Sequence, residues 1–258
     1  MSKNITNTAR LIIDIGNSRL KWACWQAGDA LNTPMITAMH AELNTTLFSH
    51  WWNTLNPQSV TIVSVANISL VQQLAQWWQQ RGVSVCCVKS SAQACGVRNA
   101  YAEPTRLGVD RWAALIAAHH IIKSHVLIVD AGTALTLDVL RNDGEHLGGY
   151  IVPGIHMMRA ALAQGTAALP DAQGTGLTLG KNTNAAIAHG TLNSAIALIE
   201  RTWQQTEQQL ASTLSCVLTG GDAQLLRTGL TRDCVIMPAL TLLGAAQLTE
   251  ANLCEAYS

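Results

Sequence analysis

Apolar runs that end in glycine-containing turns recur along this chain, and two of them share one pattern. The first covers residues 11–22 around Asp14, and the second covers residues 127–138 around Asp130. In each, apolar residues lead to the aspartate, a glycine two positions later permits a tight turn, and a second apolar stretch follows. The repeat predicts two strand–turn–strand units, and their distance in sequence suits two fused half-domains better than a solenoid.

Hydrophobic periodicity predicts further strands and helices between and after these units. Residues 59–65 are rich in β-branched side chains, as strands are, and residues 68–81 have the spacing of a helix that Gly82 would end. With a strand at 83–88, this order predicts parallel pairing through a crossover helix. The other predicted strands are 20–26, 130–140, 147–152 and 216–221, and the other predicted helices are 41–55, 113–122, 155–164, 184–209 and 238–248.

The two aspartate turns have the chemistry of phosphate loops. Glycine lets the main chain approach phosphate oxygens, Asn, Ser or Thr donates hydrogen bonds, and the aspartate can hold a cation or a water. A single Asp-x-Gly segment is more often an ordinary hairpin turn. Two copies, each after an apolar strand, favour phosphate binding, and we expect them to face one another across a cleft.

Composition excludes several classes of function. The chain has 258 residues, of which 48% are hydrophobic and 12% charged, so it can bury a large core. Lys plus Arg equals Asp plus Glu, at 16 each. The chain therefore has no excess of positive charge that would attract nucleic acid or acidic membranes. The first apolar run is broken at Asp14, too early for a signal peptide or a membrane span, so we expect a cytoplasmic protein.

The cysteines and histidines do not form a recognisable metal or disulfide pattern. Seven cysteines form an odd set without a Cys-x-x-Cys pair, which argues against a disulfide framework or a zinc site and favours reduced core residues. His119, His120 and His125 lie close together in sequence but lack the spacing of zinc ligands.

Two tryptophan pairs, 51/52 and 77/78, stand out in a chain with one phenylalanine. Adjacent residues on a helix face different ways, so one tryptophan of each pair should be partly exposed. Large core residues are the simpler interpretation, and a contact between subunits is the alternative.

Residues 96–112 form a polar loop with Pro and Gly that leads into an apolar helix. Asp110 and Arg111 would therefore lie near the start of that helix. An aspartate there could simply complement the helix dipole, and an adjacent arginine could form a surface ion pair. The loop alone leaves this alternative open.

Five motifs follow one another along nearly the whole chain. They are Asp14-x-Gly-Asn-Ser-x-x-Lys21, Tyr101-x-x-Pro-x-x-Leu-Gly-x-Asp110-Arg111, Asp130-x-Gly-Thr-Ala, Gly148-Gly-Tyr-Ile-Val-Pro-Gly154 and Leu218-Thr-Gly-Gly-Asp222. In this order they resemble the type III pantothenate kinases. The block Leu107-Gly-x-Asp110-Arg111 is the most specific, because Asp-x-Gly-Thr turns occur in many actin-like and sugar-kinase-like ATPases.

The resemblance implies a fold and a domain division. The family belongs to the acetate and sugar kinase, heat-shock and actin superfamily, which has a duplicated α/β fold of the actin (ribonuclease H-like) type. Each of its two lobes has a mixed central sheet flanked by helices. We expect residues 1–122 to form the first lobe, with the first phosphate loop and the substrate loop. Residues 123–258 would form the second, with the second phosphate loop and a Thr-Gly-Gly segment beside the nucleotide.

The resemblance also implies site residues. The first phosphate loop, which binds ATP, comprises Asp14, Ile15, Gly16, Asn17, Ser18, Arg19, Leu20 and Lys21. Within it, Asp14 would hold Mg²⁺ and Lys21 the phosphates. Thr133 would contact ATP, and Asp130 would bind a monovalent cation, K⁺ or NH₄⁺. The pantothenate site comprises Tyr101, Gly108, Val109, Asp110, Arg111 and Thr183, with Asp110 as the catalytic proton acceptor.

The implied activity is ATP-dependent phosphorylation of pantothenate to 4'-phosphopantothenate, the first step of coenzyme A biosynthesis, by a homodimer. Two alternatives stay open at this point. One is a kinase of the same fold that acts on another small hydroxylated acid or a sugar, and the other is a non-catalytic regulatory protein that retains the fold.

Overall fold

A computed structural model describes residues 9–17, 19–25, 35–39, 45–65, 68–165, 170 and 172–257. Its contacts divide the chain into two compact units, Met1–Ala117 with Ala239–Ser258, and Ala118–Pro238. This division differs from the predicted lobes, because the C-terminal residues pack with the first unit although they follow the second in sequence.

The first unit contains a six-stranded sheet, a two-stranded hairpin and four α-helices in its described residues. Its strands are β1 (Arg10–Ile15), β2 (Arg19–Trp25), β3 (Ile36–Met39), β4 (Ser59–Ser64), β5 (Ser84–Cys87) and, after the second unit, β13 (Glu255–Ala256). A separate hairpin consists of β6 (Gln93–Ala94) and β7 (Val97–Arg98). The helices are α1 (Thr45–Leu55), α2 (Ile68–Gln79), α3 (Val109–Ile121), which runs on into the second unit, and α7 (Leu240–Glu250).

The second unit has its own sheet. Its strands are β8 (Val126–Ala131), β9 (Ala134–Leu140), β10 (His146–Pro153), β11 (Ser215–Thr219) and β12 (Val235–Ile236). Its other helices are α4 (Ile155–Gly165), α5 (Thr183–Leu210) and α6 (Ala223–Arg227). Helix α5 begins after Asn182, whose side chain accepts a hydrogen bond from the Ala185 amide at 2.9 Å, and ends at Ala211 in the left-handed conformation.

Apart from the antiparallel edge strand β13 of the first sheet, the two sheets have the same strand order, which confirms the predicted duplication. The first runs β13-β5-β4-β1-β2-β3 and the second β10-β9-β8-β11-β12. In each, the first three strands form an antiparallel meander, and two later strands add in parallel on the other side of the first strand. This is the mixed sheet flanked by helices that the resemblance implied.

Each sheet buries its own apolar core. In the first unit, alternate residues of β1 pack against the aromatic side chains of α1 and α2, while α7 lies against β1, β2 and β4. Trp51 and Trp78 are fully buried and Trp52 and Trp77 only partly, as predicted for adjacent tryptophans on a helix. In the second unit, α5 supplies Leu192, Ile196, Ile199 and Trp203 to the core.

Most predicted elements are present, and the differences lie at short edge elements. Strands β3, β6, β7, β12 and β13 were not predicted, because segments of two to four residues carry too little periodicity. The helix predicted to start near Asp222 is present as the short α6, with Asp222 at its N-cap. Helix α3 begins at Val109 instead of residue 113, so Asp110 and Arg111 lie within its first turn. The predicted start of α1 at residues 41–44 lies outside the described residues.

Candidate functional site

The first aspartate corner lies at the end of β1. Asp14 pairs with Lys21 on β2 and with Val63 on β4. Asp14 is only 8% exposed. The turn is closed by a hydrogen bond from the Gly16 amide to the Arg19 carbonyl at 3.0 Å. The register therefore places the Asp14 and Lys21 side chains on the same face of the sheet at this corner.

The other residues of this loop divide into two groups. Ile15 and Leu20 are fully buried in the core of the first unit, so only their main chain could contact a ligand. Asn17 and Arg19 are exposed. Ser18 lies outside the described residues.

The predicted substrate residues Tyr101 and Arg111 are in direct contact. An Arg111 Nη1–H donates to the Tyr101 hydroxyl at 2.9 Å, and the guanidinium carbon lies 5.7 Å from the centre of the tyrosine ring. Arg111 is buried, whereas Tyr101 is half-buried. The tyrosine therefore fixes the orientation of a guanidinium whose fork suits a carboxylate.

Asp110 is folded back over the start of α3. Its Oδ1 accepts a hydrogen bond from the Arg111 amide at 2.8 Å. A Cβ on Gly108 would lie 2.6 Å from the same oxygen, so a side chain there would displace the carboxylate. Gly108 thus contributes space for Asp110, and its carbonyl accepts the Trp112 amide at 2.9 Å. Val109, the remaining predicted residue of this group, is the first residue of α3.

Asn99 and Ser90, which the sequence did not single out, hold this substrate loop in place. The Asn99 Nδ2 donates to the carbonyls of Ser91 and Pro104, both at 3.1 Å, and its Oδ1 accepts the Tyr101 amide at 3.0 Å. The buried Ser90 hydroxyl donates to the Leu107 carbonyl at 2.7 Å. The Asn-x-Tyr spacing was a usable signal, because an asparagine side chain commonly bonds the main chain two residues on.

The second aspartate corner, in the second unit, repeats the geometry of the first. Asp130 pairs with Thr136 on β9 and with Thr219 on β11, and the Gly132 amide donates to the Ala134 carbonyl at 3.1 Å. Thr133 lies exposed in the turn.

Glycines from two other segments pack against this second corner. Gly220 has φ +91°, and a Cβ there would lie 2.5 Å from Asp130 Oδ1 and from the Ala131 carbonyl oxygen. The Gly154 amide donates to the Thr133 carbonyl at 3.0 Å. These contacts bring three motifs of the sequence together around one main-chain corner.

Asp222 and His156 lie at the same corner. The Asp222 amide donates to the Ala131 carbonyl at 3.0 Å, and its Oδ1 lies 3.5 Å from His156 Nε2. Asp222 belongs to the Thr-Gly-Gly-Asp motif but had no predicted role. Nothing in the sequence pattern pointed to His156.

Thr183 is exposed at the first position of α5, directly after the capping residue Asn182. The structure thus groups Tyr101 with Gly108–Arg111, Asp14 with Lys21, and Asp130 with Thr133, each within one unit.

The carboxylates at both corners suit hard cations, which prefer oxygen ligands. Gly132 and Gly220 approach Asp130 Oδ1 closely, since a Cβ on either would lie within 3.3 Å of that oxygen. The described residues contain no group of three or more His, Cys, Asp or Glu side chains able to enclose a metal. A cation here would therefore take its remaining ligands from main-chain oxygens, phosphate or water.

The sequence matches a known family. The model of the type III pantothenate kinase family matches residues 10–205. A type III pantothenate kinase from Nitrosococcus oceani is 34% identical over 248 residues, covering 93% of each chain. Another from Laribacter hongkongensis is 36% identical over 249 residues, covering 94% of this chain and 99% of the relative.

Solved structures with low sequence identity share the fold. A protein described as a Baf family transcriptional activator from Campylobacter jejuni superposes with TM-score 0.61 at 22% identity, covering 94% of this chain and 98% of that one. A 2-dehydro-3-deoxygalactonokinase structure from Sinorhizobium meliloti has TM-score 0.56 at 14% identity, with 94% and 96% covered. At these identities the likeness shows the fold alone.

No helix in the described part of the chain is long and apolar enough to span a bilayer.

Asn99→Ala should loosen the substrate loop. The substitution leaves the Ser91 and Pro104 carbonyls and the Tyr101 amide without their partner, which costs about 1–3 kcal/mol of local stability. Amide hydrogen exchange of residues 101–107, followed by mass spectrometry, should become roughly tenfold faster or more. The control is Asn193→Ala, which removes a similar pair of bonds in α5 and should leave this loop unchanged. Equal exchange in N99A and the parent would show that Asn99 does not hold the loop.

Proposed function

The chain belongs to the type III pantothenate kinase family, whose members phosphorylate pantothenate in coenzyme A biosynthesis, and from this premise we propose how its residues divide the reaction. The observation that carries the proposal is the cluster of Tyr101, Asp110 and Arg111 at the start of α3. It supplies a carboxylate and an oriented guanidinium from two successive residues, for a substrate that has a primary hydroxyl to activate and a carboxylate to bind.

Asp110 acts as the proton acceptor for the primary hydroxyl of pantothenate. An aspartate is ionised at neutral pH, and an acceptor of ordinary basicity is sufficient when the proton leaves late in a loose transition state. The hydrogen bond from the Arg111 amide fixes the position of one carboxylate oxygen and so orients the carboxylate. Gly108 keeps the carboxylate in this conformation because it has no side chain to displace it.

Arg111 binds the pantothenate carboxylate, and Tyr101 orients the guanidinium. The pair is pre-organised, since the arginine is buried and already bonded to the tyrosine hydroxyl. Val109 and Thr183 complete the proposed substrate contacts, from the first turn of α3 and the first turn of α5.

ATP is held through the two aspartate corners. Lys21 and the main chain of residues 14–21 contact the phosphates, and Thr133 donates its hydroxyl to the nucleotide. Phosphoryl transfer requires little covalent chemistry from side chains, so positioning and charge neutralisation supply most of the rate.

Asp14 would hold Mg²⁺ and Asp130 a monovalent cation, K⁺ or NH₄⁺. When bound, these ions supply positive charge that offsets the charge of the triphosphate. The close approach of Gly132 and Gly220 to Asp130 Oδ1 supports the second assignment, because it brings main-chain oxygens near that carboxylate. Equal activity in Na⁺ and K⁺ at constant ionic strength would contradict it.

The active form is a homodimer. Exposed apolar residues of β10 and α4, among them Tyr150, Ile151 and Met157, support an intersubunit contact. The partly buried Trp52 and Trp77 pack within the first unit, which favours a core role for these tryptophans. A monomer at all concentrations in sedimentation velocity would contradict the proposal.

Asp110→Asn should lower kcat by a factor of about 10² to 10⁴, with little change in the KM for ATP, because only proton transfer is lost. Product is measured by mass spectrometry of pantothenate incubated with protein, ATP, Mg²⁺ and K⁺. Glu103→Gln, an exposed residue of the same loop, is the matched control and should retain activity. A D110N enzyme as fast as the parent would remove the assigned role.

A panel of other hydroxy acids and sugars tests whether pantothenate is the preferred substrate.

Arg111→Lys should raise the KM for pantothenate by roughly tenfold or more, since an ammonium cannot form the forked bond to a carboxylate. Steady-state kinetics with ATP saturating measure the change. Arg106→Lys in the same loop is the control, because its ion pair with Glu103 is exposed and contributes little. An unchanged pantothenate KM in R111K would exclude carboxylate binding by Arg111.

A further inference from the structure

The last described residues of the chain return to the edge of the first sheet. In β13, Glu255 pairs with Cys87 and Ala256 with Cys86 of β5, in antiparallel register. The Tyr257 amide donates to the Val85 carbonyl at 3.0 Å, and the Gln79 side chain donates to the Tyr257 carbonyl at 2.8 Å. A few main-chain and side-chain bonds thus hold this short strand in place.

Two cysteines lie where this strand meets the sheet, and both contact one pair of threonine hydroxyls. Cys86 Sγ lies 3.3 Å from Thr61 Oγ1, directly opposite on β4. Thr61 Oγ1 lies 2.9 Å from Thr249 Oγ1, and Thr249 Oγ1 lies 3.6 Å from Cys254 Sγ. Four side chains from β4, β5, α7 and the C-terminal segment therefore form one chain of contacts, with a sulfur at each end.

The pairing register brings the two sulfurs to the same side of the sheet. Ala256 is opposite Cys86, so Cys254, two residues earlier, lies on the same face as a diagonal neighbour. Cys87 points to the opposite face, because successive residues of a strand alternate. Cys86 and Cys254 are both half-buried, which leaves them within reach of a small reagent.

The two thiols differ in acidity because they interact. The hydrogen bond with Cys254 lowers the pKa of the Cys86 thiol, against the effect of burial, and Arg10 adds to the lowering. The same bond and burial raise the pKa of Cys254. Cys86 and Cys254 therefore lie within hydrogen-bonding distance of each other, as an attacking thiol and a resolving thiol must.

We propose that Cys86 and Cys254 are a redox-active pair that closes to a disulfide by exchange with a low-molecular-weight disulfide of the glutathione type, fastening the C-terminal strand to β5. The Cys86 thiolate attacks one sulfur of the reagent, forms a mixed disulfide and releases the first thiolate. Cys254 then loses its proton and attacks Cys86 Sγ, which releases the second. Two protein thiols are oxidised, one reagent disulfide is reduced to two thiols, and the two protons pass to the released thiolates.

The test is oxidation of the intact parent protein with oxidised glutathione, followed by alkylation and digestion with trypsin and a glutamate-specific protease. This digestion places Cys86 in residues 82–89 and Cys254 in residues 251–255, apart from Cys234. We expect these two peptides joined, two hydrogens lighter than their sum, and separated again by dithiothreitol. Absence of this joined peptide, while exposed Cys95 is glutathionylated, would overturn the proposal.

Two variants make the assignment specific. Cys87→Ser should leave the joined peptide unchanged, whereas a link lost in C87S would assign the chemistry to Cys87 and contradict the proposal. Cys254→Ser should stop the reaction at a glutathione adduct on Cys86, because the resolving thiol is missing. The main result is the joined peptide in the oxidised parent protein. It does not depend on how well either variant folds.

A second measurement reports the fastening of the strand. Release of the C-terminal residues by a carboxypeptidase should be at least roughly tenfold slower in the oxidised than in the reduced parent, because local opening no longer frees the segment. The C254S protein should show no such difference. Equal release from oxidised and reduced parent, with the joined peptide present, would show that the disulfide does not fasten the strand.

Discussion

A carboxylate held at the end of a buried strand, beside a turn that lacks a side chain, is the constraint on which this molecule depends. Asp14 and Asp130 each sit one residue before the end of a central strand, and the amide of Gly16 or Gly132 closes the turn that follows. The strand fixes the carboxylate through its register, and the glycine leaves the main chain open to a polyanion. Both features require that the strand be anchored in an apolar core.

The need to anchor that strand explains why the two units have the same topology. Each central strand is flanked by the antiparallel partner that continues from its turn and by a parallel strand that arrives through helices. Thr219, at the end of the parallel strand β11, lies opposite Asp130, and Gly220 then passes directly over the aspartate. The sheet therefore also builds the surroundings of the corner.

The substrate loop follows a different principle, because it has almost no regular structure of its own. Side-chain hydrogen bonds take the place of the main-chain bonds of a strand or helix. Asn99 bonds three main-chain groups, and Ser90 bonds a fourth. The loop ends where Arg111 enters the core and takes up its bond with Tyr101. A guanidinium fixed in this way loses little freedom when a carboxylate binds, and the same loop positions Asp110 beside it.

The sequence by itself determined the duplicated α/β architecture and the main strands and helices, and it named the candidate site residues. These depend on local patterns: apolar runs, glycine turns and a motif of fixed spacing. Only the tertiary structure decided that Ile15 and Leu20 turn into the core, that α7 and β13 pack with the first unit, and that Gly154, Gly220, Asp222 and His156 surround the second corner. It also decided that Cys86 and Cys254 contact the same pair of threonine side chains. Such contacts join residues far apart in sequence, and no local period records which distant segment a strand will pair with or which side chain will fill the space above a glycine.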